Sequence, residues 1–303
     1  MPGWKELVSE VHASGSMWDV VRRRYLVAVS EHTKRNVIVY YSGWLEKPDL
    51  ANDAAVDLYL SDADKSGFMS TIHQLDRGKG LDLVLHTPGG DIAATESLVD
   101  YLRSMFGRDI RVIVPQLALS AGTMIACSSR EIIMGKHSSL GPIDPQIGPI
   151  PAHGIIEEFD RARGEINANP RNAQLWAPIL SQYSPALVGE CEKAIEWSAE
   201  MVRSWLLTNM FLEEPRADET VRTIMDEIAS HAMTKSHARH ISMEKIRAIG
   251  LKVRPLEDDP KLQELVLSLH HACILTLQHT GVFKLIENQL GVAFVRGVDP
   301  QAR

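Results

Sequence analysis

Residues 83–128 read LVLHTPGGDIAATESLVDYLRSMFGRDIRVIVPQLALSAGTMIACS, and this stretch decides the fold. An apolar run over residues 81–87 stops at Pro88-Gly89-Gly90, and a second run, DIRVIVP, leads about thirty residues later into Ser120-Ala121-Gly122. Between them, Asp91 is placed as an N-cap, and Ile92, Leu98, Tyr101, Leu102 and Met105 recur at helical spacing. The pattern predicts strand, Gly turn, helix, strand, small-residue turn, helix.

The same alternation extends outward. VIVYY over residues 37–41 predicts a buried strand, the segment around Phe68, Ile72 and Leu75 a helix, and REIIMG a short strand before the turn-rich loop HSSLGPIDPQIG. Strands alternating with helices at this spacing imply right-handed crossovers and a parallel sheet, the α/β class. Active sites of such sheets lie at the carboxyl ends of strands, where both turns fall. Helical patterns recur over residues 185–211, 219–231 and 261–290, the last following the linker RPLEDDP. The expected organisation is a helical segment over 1–34, a main domain over 35–255 and a helical C-terminal extension over 256–303.

Composition bounds the function. The chain has 303 residues, 45% hydrophobic and 23% charged, as expected of a globular protein. A net charge of −7 argues against nucleic-acid binding, and VVRRRY at residues 20–25 reads as a solvated helix face. Cys127, Cys191 and Cys273 show neither metal-site nor disulfide spacing. His231, His237 and His240 lack supporting carboxylate or Cys spacing, so no metal and no cofactor is expected. No segment has the apolar length of a membrane span or signal core, so a cytoplasmic location is expected.

A Gly pair between strand and helix bares backbone N–H groups at a positive helix end, suited to a phosphate or to the oxyanion of acyl transfer. The phosphate motifs GxGxxG and GxxxxGK[ST] are absent. A plain strand-ending turn remains open for Gly89-Gly90, and an N-cap role for Ser120. Together, the two turns supply a nucleophile among small neighbours and oxyanion donors at adjacent strand ends.

LHTPGGDIAA, VPQLALSAGTMIACSSREIIMGKHSSLGPIDPQIGPIPA and EKAIEW resemble the serine dehydrogenase proteinase family, over about residues 35 to 255. That family lies in the ClpP/crotonase superfamily, close to the signal peptide peptidase A group. The resemblance implies stacked βαβ units, Ser120 as acyl-transfer nucleophile, and oxyanion donors at Gly89 or Gly90 and at Ala121. Where the family commonly has Ser-Gly-Gly, this chain has Ser120-Ala121-Gly122, and its HARHIS segment (residues 237–242) also departs from the family pattern.

A serine needs a base. No lysine occurs between Ser138 and Glu192; Lys193 in CEKAIEW is the first, matches a Lys-Ala motif of the family, and would be desolvated among Cys191, Ile195 and Trp197. A solvated lysine beside Glu192 and Glu196 is the competing reading. His137, Asp144 and His240 are alternative bases or orienting groups. The expected function is peptide-bond hydrolysis of peptides or unfolded proteins; the alternatives are an inactive scaffold or crotonase-like acyl transfer. A homo-oligomer is expected because the apolar segment at 262–277 exceeds what a terminal helix needs.

Overall fold

Val37, Val39 and Tyr41 pack on one side of their strand and Ile38 and Tyr40 on the other. This two-residue alternation makes a strand with both faces buried the centre of a layered sheet. The computed structural model describes residues 18–51, 53, 56–148, 150–229 and 239–298. The first half runs α1 (Trp18–Thr33), β1 (Asn36–Ser42), α2 (Asp62–Ile72), β2 (Leu81–His86), α3 (Ile92–Phe106), β3 (Ile110–Val114), β4 (Leu117–Ala118), α4 (Ala121–Cys127), β5 (Glu131–Met134) and β6 (Ser139–Leu140). A hairpin, β7 (Gln146–Ile147) and β8 (Ile150–Pro151), leads into α5 (Ala152–Ala168), α6 (Ala173–Leu180) and α7 (Leu187–Trp205). A π turn (Leu206–Met210), α8 (Ala217–Ile228), β9 (Ile241–Ser242), α9 (Met243–Ala248), β10 (Val253–Pro255), α10 (Pro260–His279), β11 (Val282–Asn288) and β12 (Ala293–Gly297) complete it.

The main sheet has the order β10-β5-β3-β2-β1-β11-β12. β10, β5, β3, β2 and β1 are mutually parallel; β11 and β12 join antiparallel at the β1 edge. A small second sheet, β4-β6-β9, sits beside it. One face of the main sheet buries Leu81, Leu83, Val112 and Ile132 against α2, α3, α4 and the π-turn region. The other buries Val84, Ile113 and Ile133 against Leu26 and Val29 of α1 and Leu262, Val266 and Leu269 of α10. At the amino ends of the strands, buried Asp82 takes Arg35 and Arg111, at 2.7 and 2.6 Å, which stitches β1, β2 and β3 together.

Three expectations change. Helix α10 ends at His279, and the residues after it form strands because Phe283, Leu285 and Ile286 complete the sheet edge beside β1. The apolar segment expected to serve self-association is consumed internally: Leu265, Leu267, Leu269, Leu275 and Leu277 are buried in the chain's own fold and only Ile274 is partly exposed. The arginine cluster on α1 is solvated only in part: Arg24 is exposed, but Arg22 is turned inward. Arg22 is 3% exposed and donates to Glu287 at 2.6 Å, with Arg23 on the other carboxylate oxygen at 2.6 Å.

Candidate active site

The two turns meet. Thr87 and Ala118 form a parallel bridge, with Thr87 N–H donating to Leu117 O (3.1 Å) and Leu119 N–H to Thr87 O (3.0 Å). This lays residues 87–90 against 117–120. The contact leaves no room for side chains on the Gly turn: a Cβ on Gly89 would lie 2.7 Å from Ser120 Cβ and 3.2 Å from Ala121 N. Gly89 also has φ +110, which favours glycine.

Ser120 stands directly before α4 with φ 50 and ψ −114, one of two described non-glycine residues at positive φ. Such a backbone costs about 1–3 kcal/mol and persists only where its surroundings enforce it. Here the bridge and Thr123 enforce it. The Thr123 hydroxyl lies 3.0 Å from Ala118 O and 2.9 Å from Gly141 O, and accepts from Gly141 N–H at 2.9 Å. Ser120 makes no side-chain cap bond to its helix, which removes the plain N-cap reading. The strand–Ser–helix turn is the geometry that thrusts a nucleophile into a cleft.

Gly90 is set by a different neighbour. Leu60 N–H donates to Gly89 O (2.8 Å), and Asp91 N–H donates to Leu60 O (2.9 Å). In parallel pairing, the residue between two bonded neighbours turns its own N–H and C=O to the opposite side, so the Gly90 N–H points away from Leu60. The Gly89 N–H is occupied by the Thr87 hydroxyl at 3.2 Å. Of the two glycines, Gly90 is the one whose N–H has no intramolecular acceptor among the described residues. Ala121, the first residue of α4, contributes a second N–H of the kind a helix start leaves without an intrahelical acceptor.

Ser120 and Gly90 line a cleft of about 890 Å³, walled by Leu60, Met124, Ile143, Ile147 and Trp197 among others. Asp91 and Asp57 are its carboxylates; Asp91 Oδ1 accepts from Ala94 N–H at 2.7 Å as the cap of α3. Among the described residues lining it there is no Lys, Arg or His.

The expected bases are scattered. Lys193 is exposed on α7, so the desolvation expected of it is absent, because its flanks face solvent on a helix whose buried side carries Cys191, Ser198 and Val202. It is nonetheless the i−4 neighbour of Trp197 and precedes Ala194, both of which line the cleft. His137 lies elsewhere: it donates from Nε2 to Pro115 O at 2.9 Å and lines a separate cavity of about 330 Å³ with His270 and His271. Asp144 is buried between the cleft residues Ile143 and Pro145. His240 is exposed beside β9, while His231 and His237 lie outside the described residues. Among the described residues no group of three or more His, Cys, Asp or Glu could hold a metal ion.

Sequence reasoning missed two features. The Asp57–Ser61 wall has no motif, and only its pairing with Gly90 reveals it. The second is a histidine cluster behind β2: His86 packs against Trp44 with ring centroids 4.4 Å apart and the rings tilted by 35°, and meets Tyr41 and His270 at 5.3 Å each, with the Tyr41 hydroxyl hydrogen-bonded to His270 Nδ1 at 3.0 Å. Burial pulls His86 down to about 3 and His270 well below the ordinary imidazole range. The unfolded imidazoles protonate near 6.5, so the unfolded state binds the extra protons first. The stability they confer is complete above about pH 6.5 and falls on acidification by about 1.4 kcal/mol per pH unit per histidine. Urea unfolding should therefore show a lower midpoint at pH 5.5 than at 7.5, with the difference reduced in His86→Gln. Equal wild-type midpoints would contradict this.

A family model described as ClpP-like SDH-type serine proteinase matches residues 55–272. The uncharacterized protein MJ1495 of Methanocaldococcus jannaschii is 29% identical over 195 residues, covering 64% of this chain and 59% of that one. The uncharacterized protein MJ0137 of the same organism is 35% identical over 103 residues, covering 34% and 36%. The matched stretches thus span less than two thirds of either relative. Among solved structures, a serine-to-alanine mutant of the 1510-N membrane-bound stomatin-specific protease aligns at 17% identity and a TM-score of 0.40, covering 68% of this chain and 79% of that one. With its strand–Ser–helix turn, its paired Gly turn and a family match over most of its length, the chain belongs to the ClpP-like SDH-type serine proteinases.

Proposed function

We propose that the protein is a serine peptidase that cleaves peptide bonds through an acyl-enzyme on Ser120. The observation that carries this reading is the strained Ser120 backbone beside the Gly90 N–H in an open cleft. Ser120 Oγ attacks the scissile carbonyl, and its proton passes to Lys193 in the neutral amine form. The oxyanion is met by the Gly90 and Ala121 N–H groups. Collapse expels the amine, which takes that proton, and water then hydrolyses the ester. Lys193 is assigned from the rim position it shares with Trp197, one helical turn away; acting as base requires that its side chain be drawn in when a peptide covers the cleft. Substrates are peptides or unfolded chains. Exposed Leu175 (69%) and Ile179 (43%), four residues apart on α6, support self-association, which light scattering tests against the 33.7 kDa monomer.

The test of the base is turnover of casein or a fluorogenic peptide across pH. Lys193→Ala is expected to lower kcat by about 100-fold or more and to abolish the rise of activity with pH that a base active only as the free amine gives, while His137→Ala and His240→Ala stay near wild type. Unchanged kcat in Lys193→Ala would remove lysine from the role. One observation favours a second reading, a ClpP-like scaffold or a crotonase-like acyl-transfer fold: no basic side chain is among the described cleft-lining residues. A wild type that turns over no peptide would favour it.

A further inference from the structure

The family match ends at residue 272, yet the chain beyond it contacts residues of the cleft wall. Lys284 on β11 has a side chain 0% exposed. Its ammonium donates to Tyr59 O at 2.7 Å and Asp64 Oδ2 at 3.0 Å, and lies 3.8 Å from Asp57, whose other cationic neighbour is Arg296 of β12 at 3.7 Å. Asp64 Oδ2 also accepts from the Tyr40 hydroxyl and the Ser61 N–H, each at 3.0 Å. Helix α2 presses on this hairpin at Gly67, where a Cβ would lie 2.6 Å from Ile286 and 2.8 Å from Phe294.

These bonds converge on one peptide segment. Asp57, Tyr59, Leu60 and Ser61 form a cleft wall. Leu60, held between the Tyr59 carbonyl that Lys284 grips and the Ser61 N–H that Asp64 accepts, brackets the Gly turn through Gly89 O and Asp91 N–H. A carbonyl and a carboxylate buried at such a wall need a donor, and without one their desolvation is uncompensated. Leu60 in turn decides where the Gly90 N–H points.

We propose that Lys284 is a positioning residue for the oxyanion turn: by tying Tyr59 and Asp64 together it fixes Leu60 against Gly89–Asp91, and so aims the Gly90 N–H at the carbonyl that Ser120 attacks. The C-terminal hairpin is thereby part of the active site. This rests on the acyl-transfer reading of Ser120.

The test uses the full chain, with kcat, KM and thermal unfolding measured on Lys284→Met and on Lys284→Met/Asp64→Asn. The double variant leaves no lone buried charge, so it separates the ammonium's grip on Tyr59 from simple charge compensation. A folded double variant is expected to lose about 100-fold in kcat with KM nearly unchanged, the size of effect seen when one oxyanion donor is lost or misplaced. Wild-type kcat in that variant, or failure of it to fold, confines Lys284 to stability and overturns the proposal. A wild type that neither hydrolyses peptide nor reacts with a serine-directed probe overturns the parent reading, and this one with it.

Discussion

Ser120→Ala is expected to abolish peptide turnover, by about 10⁵-fold in kcat, with no loss of fold. The residue caps nothing with its side chain and sits half-buried at the cleft, so its hydroxyl contributes little to stability. Its backbone is the opposite case. Holding φ at 50 stores strain that a glycine would not feel. Ser120→Gly should therefore be as inactive as the alanine variant, yet more stable than wild type by about 1 kcal/mol. Melting temperatures of the three proteins check this, and a Ser120→Gly variant that melts below wild type would show that the turn is not strained. The pairing of lost activity with gained stability would separate a functional turn from a structural one.

The second large effect is at the Gly turn. A Cβ on Gly90 would lie 2.2 Å from Leu60 O and 2.3 Å from Leu60 N, both backbone atoms that cannot swing aside. Gly90→Ala must push the Asp57–Ser61 wall away, break the bonds that bracket the turn and misdirect the Gly90 N–H. The expected cost is about 2–3 kcal/mol of stability together with about 10³-fold in kcat. Gly189→Ala, on the helix interior with open space around its Cβ, is the matched control and should be neutral or slightly stabilising. Denaturant midpoints and kcat for the pair check the claim; a Gly90→Ala enzyme with wild-type kcat would remove Gly90 as an oxyanion donor.

Much of this arrangement was legible in residues 83–128. Strands β2, β3 and β5 announce themselves as apolar runs because both of their faces are buried, and α3 shows its N-cap Asp91 in the sequence. The proximity of Gly89 to Ser120 follows from both turns lying at carboxyl ends of neighbouring parallel strands. What the sequence hid depends on long-range pairing. Nothing local marks Leu60 as the partner of Gly90, because a single bridged residue has no periodicity. The helical pattern expected over 261–290 runs through residues that form β11, since apolar strand and helix segments look alike until the neighbour beside β1 is known. The same ambiguity made α10 read as an association surface, when both sheet and helix spend those leucines internally. Lys193 stands out in the sequence through its family motif, but its solvation depends on which side of α7 the core takes.

The central claim is that Ser120 is a nucleophile. The measurement that tests it most directly is intact-mass spectrometry of the full chain after a fluorophosphonate probe, followed by peptide mapping. The account predicts one added probe mass on wild type, mapped to the peptide containing Ser120, and no addition to Ser120→Ala. Equal labelling of both proteins, or a probe mass mapped to another residue, would contradict it.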